Sequence, residues 1–268
     1  FTDSGNGTLF VRVYGSQVAH LPSLGWIVWN GQFWNVSGSA ALGRAIDLTS
    51  SMLADARAEV RFARENEDAD KTKAAEKYLK HVLSSRNQPR LDRILETARP
   101  RLEMTLNQLD ADPHILNTPA GMIDLHTGQL RPHDPAAFCT KITGCAPGIK
   151  GVEEWQAFLQ TITCGDDKLI WFLQQIAGMA AVGQVFMEYV VMAYGDGNNG
   201  KSTFFNVLRS VLGSYAGSID PDVLTTHKQN KGADYAELKG KRLVIAAELD
   251  EGTRISPKAL KQLASTDN

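Results

Sequence analysis

Residues 195–202 read Gly-Asp-Gly-Asn-Asn-Gly-Lys-Ser, and Thr203 follows. A Gly-x-x-x-x-Gly-Lys-Ser spacing has a definite chemical use. Its glycines let successive backbone N–H groups turn inward around phosphate oxygens, while a helix opening there aims the positive end of its dipole at them. On this reading Gly195, Asp196, Gly197, Asn198, Asn199 and Gly200 form a phosphate cradle that runs on through Lys201, Ser202 and Thr203. Lys201 reaches the β and γ phosphates of a nucleoside triphosphate. Ser202 offers a hydroxyl to Mg²⁺, an ion that keeps most of its water and takes few protein oxygens. A second chemical feature lies downstream, where Leu243–Ala247 is an apolar strand pattern ending in the acids Glu248, Asp250 and Glu251. A carboxylate at the C-terminal end of a parallel strand beside the loop can hold the Mg²⁺ shell or orient the attacking water. Glu248 is the choice for this carboxylate, with Asp250 and Glu251 as alternatives. The competing reading is an edge strand followed by a solvated acidic turn.

These groups need a strand ahead of the loop and a helix behind it. Val190–Ala193 suits a buried parallel strand, and 203–212 carries helical periodicity in Phe204, Val207, Leu208 and Val211. Upstream, Trp155, Phe158, Leu159 and Ile162 predict an amphipathic helix. Asp166 or Asp167 caps the next one, whose stripe is Leu169, Phe172, Leu173 and Ile176. The uncharged run Leu169–Met187 has the length of a membrane span. Gln174, Gln175 and Gln184, the glycines at 178 and 183, and the one-sided stripe argue for a surface helix instead.

The first part of the chain reads differently. Trp26-Ile-Val-Trp-Asn-Gly-Gln-Phe-Trp34 predicts a hairpin turning at Asn30-Gly31. Its tryptophans could stack bases, but cross-strand packing is the commoner use and the expectation here. From about Ala40 to Asp110 the pattern is helical, with Tyr78, Leu79, Val82 and Leu83, then Leu91, Ile94, Leu95 and Ala98, at three- and four-residue steps. Arg86, Arg90, Arg93, Arg99 and Arg101 read mainly as a solvated face, with nucleic-acid contact as the weaker suggestion. Residues 116–131 predict a second hairpin around Pro119, Gly121 and a His126-Thr-Gly128 turn.

With 268 residues, 43% of them hydrophobic and a formal charge of -2, the chain is long enough for two domains, and any nucleic-acid contact must be local. Three cysteines, Cys139, Cys145 and Cys164, indicate neither a disulfide framework nor a zinc site, and are expected to be reduced in a cytoplasmic setting. No secretion signal is expected from Phe1–Thr8.

With these motifs placed, the chain resembles the phage and plasmid primase-helicases of the satellite-phage and poxvirus type, whose motors are superfamily 3 helicases. Thr2-Asp-Ser-Gly-Asn6, the Trp26–Trp34 hairpin and residues 116–134 resemble the domain that precedes the motor. Gly195–Thr203, with Asn199 before Gly-Lys-Ser-Thr, resembles the family's phosphate loop, and 238–248 its acidic strand. Lys261–Asp267 resembles a following Lys-x-Leu-Thr-Gly-Gly-Asp element, with Ser265 and Thr266 where two glycines usually stand. The resemblance implies an α/β fold: a P-loop (AAA+-like) ATPase core over 186–268, truncated at its C-terminus. A helical lead-in over 151–185 and a mixed, mainly helical α+β accessory domain with small β-hairpins over 1–150 precede it. It implies ATP and Mg²⁺ as cofactors, single-stranded or forked DNA as partner, a homo-hexameric ring without membrane attachment, and a phage, prophage or plasmid protein in bacterial cytoplasm. The sequence ends before the family's sensor motif, arginine finger and DNA-gripping hairpin, so ATP binding with low turnover is the expectation for this stretch alone. A nucleotide-switched initiator or assembly module and a P-loop kinase are the alternatives.

Overall fold

The computed structural model describes residues 2–188, 190–225, 238–246 and 254–264. It divides into two compact units, Phe1–Leu109 and Asp110–Asn268. The sheet over residues 115–131 falls in the second of these units.

The first unit opens with α1 (Asp3–Tyr14), which the glycine-rich sequence conceals. Thr2 starts it, its hydroxyl accepting from the Gly5 N–H at 3.1 Å. The next strands, β1 (Val18–Leu21), β2 (Gly25–Trp29) and β3 (Trp34–Val36), form an antiparallel sheet. Trp29 pairs with Trp34, so the hairpin loop holds four residues and not two. Asn30 accounts for the longer turn: its Oδ1 accepts from the Gln32 and Phe33 N–H groups, and Gly31 takes a φ of 102°. Of the three tryptophans Trp34 is buried, while Trp26 and Trp29 are half-buried.

Three helices complete this unit: α2 (Gly38–Glu65), α3 (Ala69–Ser85) and α4 (Gln88–Leu102), capped by Ser37, Asp68 and Asn87. Leu91, Ile94, Leu95 and Ala98 all enter the core with Phe10, Val28, Leu48 and Val82, as their spacing predicts. Leu83 does not, and stands half exposed. Helices α1 and α4 approach closely because residue 7 is glycine: a Cβ there would lie 2.7 Å from Thr97 Cβ.

The second unit begins with an antiparallel sheet of β4 (Ile115–Thr118), β5 (Gly121–Asp124) and β6 (Leu130–Arg131), three strands where the sequence predicts one hairpin. Asp124 Oδ1 accepts from His126 and Thr127 N–H groups to make the second turn. Then come α5 (Val152–Ile162), α6 (Asp167–Ala181) and α7 (Lys201–Leu212). Asp166 is the cap of α6, accepting from Lys168 and Leu169 N–H groups. The buried side of α6 is rotated from the expected stripe. Ile170, Leu173, Ile176 and Ala180 pack inward, whereas Leu169 and Phe172 are 41% and 44% exposed. Among the described residues no helix is long and apolar enough to cross a membrane.

After α7, β7 (Ala216–Ile219) and β8 (Leu243–Ala246) form a two-stranded parallel sheet, and a short helix spans Pro257–Ala264. Arg242, just ahead of β8, ties this sheet to the rest of the unit. Its guanidinium donates to the carbonyls of Ala181 (2.5 Å) and Ile115 (2.7 Å) and lies 4.3 Å from the Tyr215 ring centroid. Tyr215 is buried, and its hydroxyl accepts from the Asn117 N–H. Burial lowers the Arg242 pKa and raises that of the Tyr215 phenol.

The packing of the first unit is testable at two points. Gly7→Ala should force α1 from α4 and cost about 1–3 kcal/mol of stability, measured by urea unfolding of the whole chain; an unchanged midpoint would contradict the close approach. His20 has a buried Nδ1 without a hydrogen-bond partner among the described residues, and desolvation, with the Arg99 charge, holds its pKa below the ordinary value. His81 is lowered too, again chiefly by burial. The unfolded chain thus binds more protons than the folded one near these values. Stability is full above about pH 6.5 and falls as the pH drops below it. Melting temperatures across that range should decline toward acid, less steeply in His20→Phe, and a flat profile in the parent would refute the assignment.

Candidate functional site

Helix α7 starts at Lys201 with Gly200 as its N-cap residue, at φ 86° and ψ -3°, and no side chain caps it. Its first N–H groups therefore point out of the helix end without an internal side-chain acceptor. The loop leading to it bends through positive φ at Gly195 (141°), Asn198 (60°) and Gly200. Asparagine tolerates that region better than most residues, and glycine takes it without cost. Gly195, Asp196, Gly197, Asn198 and Asn199 are all exposed, as are Ser202 and Thr203. A Cβ on Gly197 would meet nothing within 4 Å, so the loop leaves open space beside its backbone.

The Lys201 side chain folds back over this loop. Its ammonium donates to the Gly195 carbonyl (2.8 Å), the Asp196 carbonyl (3.0 Å) and Asn199 Oδ1 (2.8 Å). All three acceptors are neutral, and among the described residues Lys201 has no carboxylate partner. A cation, an uncapped helix end and an open glycine-bearing loop thus converge on one spot, a donor set suited to a polyanion.

What fixes the loop is packing beneath it. A Cβ on Gly200 would collide with Ile162 Cγ2 and lie 3.5 Å from Phe158, so the start of α7 is pressed against α5. Trp155 stacks on Phe204 with ring centroids 5.7 Å apart and planes 18° from parallel. Leu159, Phe204 and Leu208 form the buried centre of this contact. The residues Trp155, Phe158, Leu159 and Ile162 serve as their spacing predicts. On α7 the buried row is Phe204, Leu208 and Leu212, with Val211 43% exposed, so its last member is displaced by one residue. At the far end of α7, Gly144 donates its N–H to the Val211 carbonyl and Ser214 donates to the Ile142 carbonyl. The supports at Ile162 and Gly144 escape motif reasoning; the third motif glycine, Gly200, hints at a tight helix start.

Two expected parts of the site differ or fall elsewhere. Val190–Ala193 forms no strand and pairs with none among the described residues, and Val190, Val191 and Met192 are 44%, 38% and 60% exposed. A β-type composition supplies no ladder by itself, and β8 pairs with β7 instead. Of the expected strand Leu243–Ala247, β8 covers Leu243–Ala246 with half-buried and exposed residues, and Ala247 lies outside the described residues. Glu248, Asp250 and Glu251 lie outside the described residues, as do Ser265, Thr266 and Asp267.

The helices that cradle α7 also bear on ancestry. A family model described as D5 N terminal like matches residues 7–164, more than half of the chain, and ends just beyond α5. The chain belongs to the D5 N terminal like family. No curated protein matches it significantly. The D5 N terminal like region occurs in phage and viral primase-helicase proteins and is associated with DNA replication. In this chain it covers the first unit from residue 7 onward together with the sheet β4–β6 and α5, and so it supplies Trp155, Phe158 and Ile162, on which the loop-bearing helix rests.

Gly200→Ala should lower stability by about 1–3 kcal/mol through the Ile162 contact and the positive φ together. Ile162→Ala in the same chain removes the clashing methyl, so its added cost should be smaller than in the parent. Denaturant titrations of the four proteins decide it, and strict additivity would mean the two residues do not touch.

Proposed function

We propose that the chain is part of an ATP-driven superfamily 3 DNA helicase within a replication primase-helicase, and that Gly195–Thr203 binds the nucleotide. The observation that carries this reading is the convergence of Lys201, the uncapped start of α7 and the open loop, joined to a region found in primase-helicases. Backbone N–H groups of the loop and of the first α7 turn would hold phosphate oxygens, and Lys201 would exchange its loop acceptors for the β and γ phosphates. Ser202 and Glu248 would hold Mg²⁺. When bound, this ion offsets charge that develops on the transferring phosphoryl group. Glu248, with Asp250 or Glu251, would orient the attacking water, and these acids divide the metal and water roles among them.

In the complete protein the reading includes a homo-hexameric ring, with an arginine from a neighbouring subunit completing the site and DNA as the moving partner. A cross-subunit arginine of this kind raises turnover by several orders of magnitude. Binding is therefore the first property to measure.

Isothermal titration with Mg-ATP should show one site per chain. Lys201→Ala removes a charge-assisted contact of about 1.5–3 kcal/mol, weakening binding roughly ten- to a hundredfold. Thermal unfolding of that variant without nucleotide should match the parent, since Lys201 makes only exposed contacts within the loop. Equal heats for parent and variant would end the nucleotide reading.

A further inference from the structure

The α4 helix of the first unit separates its charges. Arg90, Arg93, Thr97 and Arg101 recur along it at three- and four-residue steps, so these side chains share one face, and Arg86 stands in the turn before the helix. Asp92 lies away from this row and accepts from Gln88, whereas Glu96, three residues beyond Arg93, lies beside it. Arg99, grouped with the others in the sequence, lies off the row and near His20.

The arginines are held in place by neutral or shared partners. Arg86 donates to Ser50 Oγ (3.1 Å), Arg90 to Ser84 Oγ (2.7 Å) and Arg101 to Thr8 Oγ1 (2.8 Å). One carboxylate, Asp3, serves two of them, at 3.4 Å from Arg93 and 4.0 Å from Arg90. Among the described residues Asp3 is the one acid within ion-pair distance of these four guanidiniums. Arg12, exposed one turn beyond Thr8 on α1, adds a fifth cation. Like charges at such spacings cost helix stability. The core does not need them, because Leu91, Ile94, Leu95 and Ala98 already anchor α4. A local cost without a packing gain points to a ligand.

We infer that this seam between α1 and α4 is a track for the phosphate backbone of DNA. From Arg90 to Arg101 the helix rises about 17 Å, the length of roughly five phosphates along one strand of a duplex. Arginine forks already oriented by hydroxyls lose less freedom on meeting phosphate than unrestrained side chains do. Hydroxyl partners also leave the positive charge unneutralised. The acidic formal charge of the chain conceals the track, since α2 and α3 carry acids and bases interspersed. DNA is favoured over an acidic protein by the family's place in replication proteins. The inference stands on the first unit and is independent of the nucleotide reading.

The test is fluorescence anisotropy of labelled DNA oligonucleotides, single-stranded and duplex, with the whole chain over a range of salt. Arg93→Ala with Arg101→Ala should weaken binding roughly ten- to a hundredfold at low salt. The same change should reduce the slope of log affinity against log salt by about 1.4 for single strands or about 1.8 for duplex. Loss with either form upholds the track. Arg93→Lys with Arg101→Lys keeps the charge and should retain most of the binding, which separates lost contacts from lost folding. Lys73→Ala with Lys77→Ala removes equal charge from exposed positions on α3. If that pair weakens binding as much, if the arginine pair changes nothing, or if poly-glutamate binds as tightly as DNA, the inference is overturned.

Discussion

The contact between Gly200 and Ile162 is the constraint from which the rest of the second unit takes its geometry. A helix can begin in only a few ways, and here it begins with a residue at positive φ pressed against a neighbouring helix. Any side chain at 200 would push α7 outward, because interiors packed to crystal-like density have no slack to absorb a methyl group. The stack of Trp155 on Phe204 fixes the same helix one turn further on. The Ile142–Gly144 segment holds its C-terminal end through main-chain hydrogen bonds. With both ends held, the direction of the helix dipole, and of the uncapped N–H groups at its start, is set by packing alone. The exposed loop inherits its placement from buried residues it does not contain.

Arg242 illustrates a second constraint in that unit. A buried guanidinium is costly to desolvate, and this one meets the cost with two carbonyls and an aromatic face instead of a carboxylate. Those partners come from the end of α6, from β4 and from the turn before β7, so one side chain joins three separate stretches of sequence. Gly183 sits close by: a Cβ would come within 3.1 Å of the Arg242 guanidinium and 3.2 Å of Pro113, so a side chain there would need these neighbours to shift by a few tenths of an ångström. The sheet β7–β8 is thereby registered against the sheet β4–β6 without any strand passing between them.

How much of this is readable from the chain alone depends on where the information resides. Helices α4 and α5 are legible because their buried residues recur at helical steps and nothing else competes for them. The turn at Asn30 is legible in place but not in length, since Asn30 Oδ1 can close either a two- or a four-residue loop and only pairing decides. Helix α1 is hidden because Gly5 and Gly7 have loop composition, when Gly7 in fact permits contact with Thr97. Residues 190–193 mislead for the converse reason: Val-Val-Met-Ala has strand composition, but a strand exists only with a hydrogen-bonded neighbour, and pairing is a long-range property. The loop motif itself needs no long-range information. Its spacing is local, so Lys201 and Gly200 are legible, while Ile162, which fixes them, is recognisable only as one more apolar residue on α5.

The partners of Lys201 carry an argument about what the loop can accept. A lysine paired with a carboxylate must break a charge-assisted bond before it can serve an incoming anion. Lys201 instead donates to two carbonyls and one amide oxygen, each worth about 0.5–1.5 kcal/mol net, whereas a bond to an ionised acceptor is worth about twice as much. Exchange of neutral for charged acceptors therefore runs downhill for an anion. A neutral ligand gains nothing by the same exchange, because it would replace intramolecular bonds of equal strength and lose freedom in doing so. The same logic governs the arginines of α4 and the turn before it, where Ser50, Ser84 and Thr8 orient guanidiniums without neutralising them and Asp3 alone supplies a carboxylate. In both places the fold uses hydroxyl, amide and carbonyl groups to hold cations still and keeps carboxylates largely away, which favours anionic ligands at each site on grounds that do not depend on the other.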